Sequence, residues 1–141
     1  MKYYVTADIH GFLTPFQNAL RDAGYYDDPG EKKIIVCGDI LDRGAEAVGM
    51  QDYILELLER DKVILVRGNH EDLFCWMVTK DEGLPYPRHI HNGTYQTALA
   101  LTGYDLHTAN VQNLDFAEAA QKTKFYTRII PATIDYYETE H

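Results

Sequence analysis

Cysteine is scarce in this chain. Only Cys37 and Cys75 occur in 141 residues, too few for a disulfide framework or a thiolate metal site. Cys37 sits in an apolar run before a polar turn and is expected to be a buried free thiol. Basic residues are outnumbered, 13 Lys and Arg against 22 Asp and Glu, which leaves a formal net charge of −9. That balance argues against a nucleic-acid or anionic-membrane surface, either of which needs a basic patch. It does not exclude a phosphorylated substrate, because a bound metal inverts the local electrostatics. No apolar run approaches the roughly 20 residues of a membrane span, and Met1 to Val5 lacks a signal-peptide core. Repeats, low-complexity tracts and linkers are also missing. What is left is a reduced, cytoplasmic, single domain spanning residues 1–141, 45% apolar and able to bury a core without staples.

The elements that are there follow one pattern. Lys2 to Ala7, Lys33 to Cys37 and Lys62 to Val66 are β-branched or apolar runs and predict strands. The third is almost wholly apolar, as expected of a strand covered on both faces. A helix is predicted after each: Thr14 as N-cap with Pro15 behind it and Gly24 as the stop, then Ala45 to Arg60, then Glu71 to about Lys80. Strand–turn–helix three times over is the pattern of an α/β fold with a parallel βαβαβα sheet and right-handed crossovers. Beyond Lys80 the spacing predicts a loop from Gly83 to Gly93, a short helix from Thr94 to Leu101, helical structure between Asn113 and Ile130, and a terminal strand from Thr133 to Thr139.

Each predicted strand ends in polar residues of one chemical kind. The first ends in Asp8-Ile9-His10-Gly11, the second in Gly38-Asp39-Ile40-Leu41-Asp42-Arg43-Gly44, the third in Arg67-Gly68-Asn69-His70-Glu71. Ligands of α/β sheets bind at the carboxyl ends of strands. Asp8 and His10, two apart in an extended segment, point the same way and can share a cation. Asp39 can bridge two metals with its two oxygens, and Asn69 offers a neutral oxygen. Carboxylate, imidazole and amide without thiolate suit manganese, iron or zinc. Two such ions, about 3.5–4 Å apart, clamp a phosphoryl group and activate a water. His70 is placed as general acid, Asp42 as the carboxylate that orients its ring, and Arg43 and Arg67 as forks for phosphate oxygens. Glu71 is expected either to pair with an arginine or to support the site from behind. Singly, each run reads as an ordinary turn with a surface ion pair or a solvated histidine; the three together point to one site.

These three runs resemble the signature motifs of phosphoprotein phosphatases, within the calcineurin-like metallophosphoesterases, and most of all the bacterial and lambda-phage-type serine/threonine phosphatases. The resemblance covers about the first seventy residues, with Ala7 standing where the family usually has glycine. It implies the N-terminal part of the family's α/β–β/α sandwich, with Asp8, His10 and Asp39 on one divalent metal and Asp39 and Asn69 on the other. It also implies His70 as general acid with Asp42 behind it, Arg43 and Arg67 on phosphate, and manganese as the first choice of metal. The implied activity is hydrolysis of phosphoserine or phosphothreonine. A diadenosine tetraphosphate hydrolase uses the same motifs and is the alternative substrate class; a non-catalytic remnant that binds metal or a partner is the alternative of a different kind.

The family closes its site with two later histidines and a second sheet, and this chain is expected to be incomplete at that end. His89, His91, His107 and His141 are all expected at the surface rather than as substitutes, so the second metal site is expected to be weak. Ile134 to Tyr137 is then expected to be an unpaired edge strand through which two copies could form a homodimer.

Overall fold

The structure, a computed structural model, describes residues 1–79, 87–105 and 114–139. Four parallel strands, β1 (Lys2–Thr6), β2 (Lys32–Cys37), β3 (Val63–Val66) and β4 (Thr133–Ile134), lie in the order β1-β2-β3-β4. The helices are α1 (Leu13–Asp22), α2 (Ala47–Glu59), α3 (Asn69–Thr79), α4 (Pro87–His91), α5 (Thr94–Thr102) and α6 (Leu114–Gln121), followed by a π-helical turn (Phe125–Ile129) and a 3₁₀ turn (Ile130–Ala132). This is the α/β architecture expected of a metallophosphatase.

Sequential parallel strands joined by right-handed crossovers place every connecting helix on the same face of the sheet. Register and burial agree with that. Ile34 pairs with Val63 and Val36 with Leu65, and all four are buried in the helix-covered core. Ile35, Cys37, Ile64 and Val66 belong to the opposite face together with their partners Val5 and Ile134; there Ile35 is buried, Ile64 and Val66 are half-buried, and Val5 (66%), Cys37 and Ile134 are exposed. Two expectations are corrected here. Cys37 is not buried, because strand side chains alternate and Val36 takes the inward position. Strand β3 is fully covered on one face and only partly on the other, where Ile64 and Val66 are half-buried.

The helix boundaries shift for local reasons. Thr14 is not an N-cap: α1 begins at Leu13, and Thr14 instead donates its amide (3.0 Å) and hydroxyl (2.6 Å) to the Glu46 carboxylate. A carboxylate from 32 residues away thus serves the amino end of α1, where negative charge is favourable, and those bonds hold the Glu46 carboxyl below its ordinary range. Helix α2 starts two residues later than expected and α3 two residues earlier, so that Asn69 and His70 open α3. Helix α5 follows Gly93 and ends at Gly103, both in the left-handed region. His89, expected at the surface, is 2% exposed, whereas His91 is exposed. His107, His141, Lys80, residues 83–86 and the region 106–113 lie outside the described residues; the expected loop from Gly83 to Gly93 is corrected over its described part, where Pro87–His91 form helix α4.

The terminal strand is also corrected. Thr133 and Ile134 pair in parallel with Leu65 and Val66, so this stretch is not an unpaired strand, and residues 135–139 are not β-structure. The 3₁₀ turn at Pro131 delivers the chain alongside β3. Tyr137 then meets Tyr3 of β1, hydroxyl to hydroxyl at 3.0 Å.

Asp28 ties down the start of β1. It accepts from Lys2 Nζ, the Tyr4 hydroxyl and the Gly30 amide, each at 2.9 Å. The Lys2 bond, then the Gly30 and Tyr4 bonds, hold its carboxyl well below the ordinary 3.8, while hydrogen bonding to Tyr4 and Asp28 pushes Lys2 up to about 12. A carboxyl depressed on folding stabilises the native state above its unfolded value and loses that contribution as pH falls through the folded value. Asp28→Asn should therefore lose part of the stability difference between neutral pH and ~pH 3, read from thermal melts at both; an unchanged difference would rule out the assignment.

Candidate metal centre

Because β1, β2 and β3 are neighbours and parallel, their carboxyl ends open at the same edge of the sheet. Backbone hydrogen bonds continue past the strands and lock the first two turns together. The His10 amide donates to Asp39 O at 2.9 Å, the Gly11 amide to Ile40 O at 2.8 Å, and the Gly44 amide to His10 O at 2.8 Å. At Gly44 the contact is too close for any side chain, since a Cβ there would lie 2.2 Å from His10 O.

The turns are strained where the chemistry is. Among the described residues, the non-glycine residues with positive φ are Asp8, His10, Asp39, Asp42 and Arg43, with Asp61 elsewhere. Aspartate and histidine tolerate the left-handed region better than most residues, and strain of this kind collects at functional sites at about 1–3 kcal/mol each. This revises the extended geometry expected for Asp8 and His10. A turn, not strand alternation, brings the Asp8 carboxylate to 3.9 Å from His10 Nε2.

Glu71 joins the second turn to the third. Fully buried, it accepts amide hydrogens from Asp39 (3.0 Å), Ile40 (2.9 Å) and Gly68 (2.7 Å). Burial raises its pKa, against the lowering effect of those three bonds. Of the two roles expected for Glu71, the structure shows the supporting one. Arg67 pairs elsewhere, with Nε 2.7 Å from Asp72 Oδ1 and Nη2 3.5 Å from Cys75 Sγ, and the Asp72 bond raises its pKa.

His10, Asp39 and His70 form the compact group. Their ligand atoms lie within 4.8 Å of one another, and all three residues are buried. His10 Nδ1 faces the Leu41 carbonyl at 3.0 Å, which makes Nδ1 the donor and leaves Nε2 turned toward the carboxylates, 3.9 Å from Asp39 Oδ2. Asp39 Oδ1 accepts the His70 amide at 3.0 Å. The His70 ring packs edge-to-face on His10 at 4.7 Å and bonds through Nδ1 to Asp42 Oδ2 at 2.7 Å. Its Nε2 lies 3.4 Å from Arg43 Nη2. Asp8 is exposed at the rim, and Asn69 is exposed at the start of α3. Imidazole and carboxylate donors, with no thiolate among them, fit a borderline-hard divalent cation.

One member of the site was missed by sequence reasoning. The buried Thr94 hydroxyl donates to Asp42 Oδ2 at 2.6 Å, so Asp42 holds both His70 and the start of α5. Gly-Thr at a helix start reads as a local N-cap; nothing in the letters ties it to a carboxylate 52 residues earlier.

A family model described as calcineurin-like phosphoesterase matches residues 1–128. The chain belongs to the calcineurin-like phosphoesterases. Among curated proteins, it is 38% identical over 77 residues to an asymmetrical bis(5'-nucleosyl)-tetraphosphatase PrpE of Bacillus cereus, covering 50% of this chain and 31% of that protein. The same figures describe the Bacillus anthracis protein of that name. The Anoxybacillus flavithermus one is 31% identical over 78 residues, with 51% and 32% covered. The matched segment therefore spans about a third of those relatives. As a calcineurin-like phosphoesterase, the chain comes from a divalent-metal-dependent family of hydrolases, and the group around His10 and Asp39 has the donors for such an ion.

Two outcomes are expected. Glu71→Gln, which sets an amide NH₂ against backbone donors, should destabilise by about 1–3 kcal/mol in denaturant titration. Manganese at a hundredfold excess over its Kd should stabilise the wild type by about 2.7 kcal/mol through native-state binding, and Asp39→Asn should lose most of that gain in the same melt.

Proposed function

We propose that this chain carries the phosphate-binding and proton-donating half of a metal-dependent hydrolase of phosphoric esters or anhydrides. Its substrates are small nucleotides of the kind named for its relatives rather than phosphoserine proteins. The buried His70–Asp42 pair beside Arg43 carries the hydrolase reading, and the names of the relatives support the nucleotide class. A divalent cation held by His10 and Asp39, with Asp8 and Asn69 completing its shell, would supply Lewis-acid polarisation of the phosphoryl group and a nucleophilic water at neutral pH.

The chain's own groups do the rest. Arg43, exposed at the rim, presents its fork to the phosphoryl oxygens. Arg67 adds a second cation if it exchanges Asp72 for phosphate. With Nδ1 engaged by Asp42, His70 meets the substrate through Nε2. As the bond from phosphorus to the leaving oxygen breaks, that oxygen takes the Nε2 proton. Water oxygen forms the new bond to phosphorus, and one of its protons restores His70, so that the net change is addition of one water. Asp42 fixes the ring orientation and Thr94 fixes Asp42.

Free Cys37 and Cys75 suit a reducing compartment, in line with a cytoplasmic setting. No helix among the described residues is long and apolar enough to cross a membrane. A homodimer across the open edge of β4 is the proposed assembly, to be read by size-exclusion chromatography.

Turnover of p-nitrophenyl phosphate with manganese should fall about 10²–10⁴-fold in His70→Asn. Tight metal binding without turnover in the wild type would instead favour the non-catalytic remnant. Faster release of phosphate from a phosphoserine peptide than from a dinucleoside tetraphosphate would favour the protein-phosphatase reading.

A further inference from the structure

Strand β1 is an end strand of the sheet and pairs with β2 alone among the described residues. Its Lys2 amide donates to Glu31 O, and the Asp8 amide just beyond it donates to Gly38 O. Backbone groups alternate sides along a paired strand, so those of Val5 and Ala7 turn away from β2 and toward the open edge. Proteins blunt such edges with charges, proline or a bulge. None of these is present here. Tyr3-Tyr4-Val5-Thr6-Ala7 has no charged residue and no proline, the register with β2 is unbroken from Lys2 to Thr6, and Val5 is 66% exposed.

A groove of about 350 Å³ runs beside that edge, between β1 and α1. Buried Phe16 and Leu20 form its floor, and exposed Ala19 and Ala23 stand along the helix side. Every second side chain of a strand repeats at about 7 Å, and two residues four apart on a helix repeat at about 6 Å. A strand laid along β1 would therefore set two successive inward side chains against the two alanines. The lining holds no formally charged group, in a chain that is 25% charged. A charged occupant would be buried there without a counter-ion, which is costly. An uncharged one meets matching surface below and matching hydrogen-bonding groups at its side.

We propose that the β1 edge and this groove form a docking site for an extended, uncharged segment of a separate polypeptide, which joins the sheet as a further strand beside β1. Main-chain hydrogen bonds to Val5 and Ala7 hold it, and aliphatic side chains at alternate positions fill the groove. A second copy of this chain does not fit. A two-fold axis would pair β1 with β1 antiparallel and turn the copy's Lys2, Tyr4 and Thr6 toward the groove. Lys2 and Tyr4 are both engaged by Asp28, at 2.9 Å each, and Lys2 would carry its charge into apolar surroundings. The site stands on the strand edge and α1 alone, so it is independent of the phosphoesterase reading.

Amide hydrogen exchange of the full chain, followed by NMR, tests it with the peptide Lys-Val-Thr-Val-Thr-Val-Lys as probe. At saturating peptide the Val5 amide should exchange at least about tenfold more slowly. The same peptide with proline for its central valine should give no protection, because proline interrupts strand pairing. Ala19→Glu, a substitution at an exposed position of α1, should abolish the protection by placing a charge in the groove. Ala23→Trp provides a second obstruction should the first lower the melting temperature. Unchanged Val5 exchange at millimolar peptide, equal protection from the proline peptide, or protection retained in both variants overturns the site. Val5 protection that grows with protein concentration in the absence of peptide points to a second copy and overturns the choice of occupant.

Discussion

A single buried carboxylate holds the centre together. Glu71 accepts three backbone amides from two turns that are about thirty residues apart in the chain. Charge in a buried place costs free energy, which shows in its raised pKa. The amides offset that cost, and they too would be left unsatisfied without it. Once those amides are fixed, Asp39 can accept the His70 amide, and His70 can reach Asp42. The ligand geometry is thus set by hydrogen bonds to backbone behind the ligands, and the ligands themselves remain free for a cation.

Strain and support are balanced along the same turns. Five chemistry-bearing residues sit at positive φ, a conformation that persists only where surroundings over-determine it. Here the surroundings are the amide-to-carbonyl bonds between the first two turns, the Glu71 clamp and the glycine contacts that admit no side chain. Thr94 extends the support into the second half of the chain, so that α5 becomes part of the centre.

Sheet order has a second consequence. Sequential strands send all crossovers to one face, and the other face keeps Val5, Cys37 and Ile134 exposed. Tyr137 returns to Tyr3 and shields part of it. An apolar strand face of this kind invites partners, and its extent was not evident from the letters, because the run Val63 to Val66 looks the same whether one face or two are covered.

Local patterns were enough to place the three strands, the helices that follow them and the polar runs at their ends, because strand and helix periodicity and turn chemistry act within a few residues. Asp8, His10, Asp39, Asp42, Arg43 and His70 could be singled out from sequence for the same reason: their types and positions after apolar runs carry the signal. Tertiary structure alone decided how they meet. It turned Asp8 and His10 with left-handed backbone rather than strand alternation, gave Glu46 to the start of α1, committed Arg67 to Asp72, buried His89 and brought Thr94 to Asp42. The Glu46 and Thr94 bonds join residues 32 and 52 apart in the chain, and no local rule of propensity or spacing encodes those partners; Arg67 and Asp72 are only five apart, and their pairing follows from how the turn after β3 enters α3.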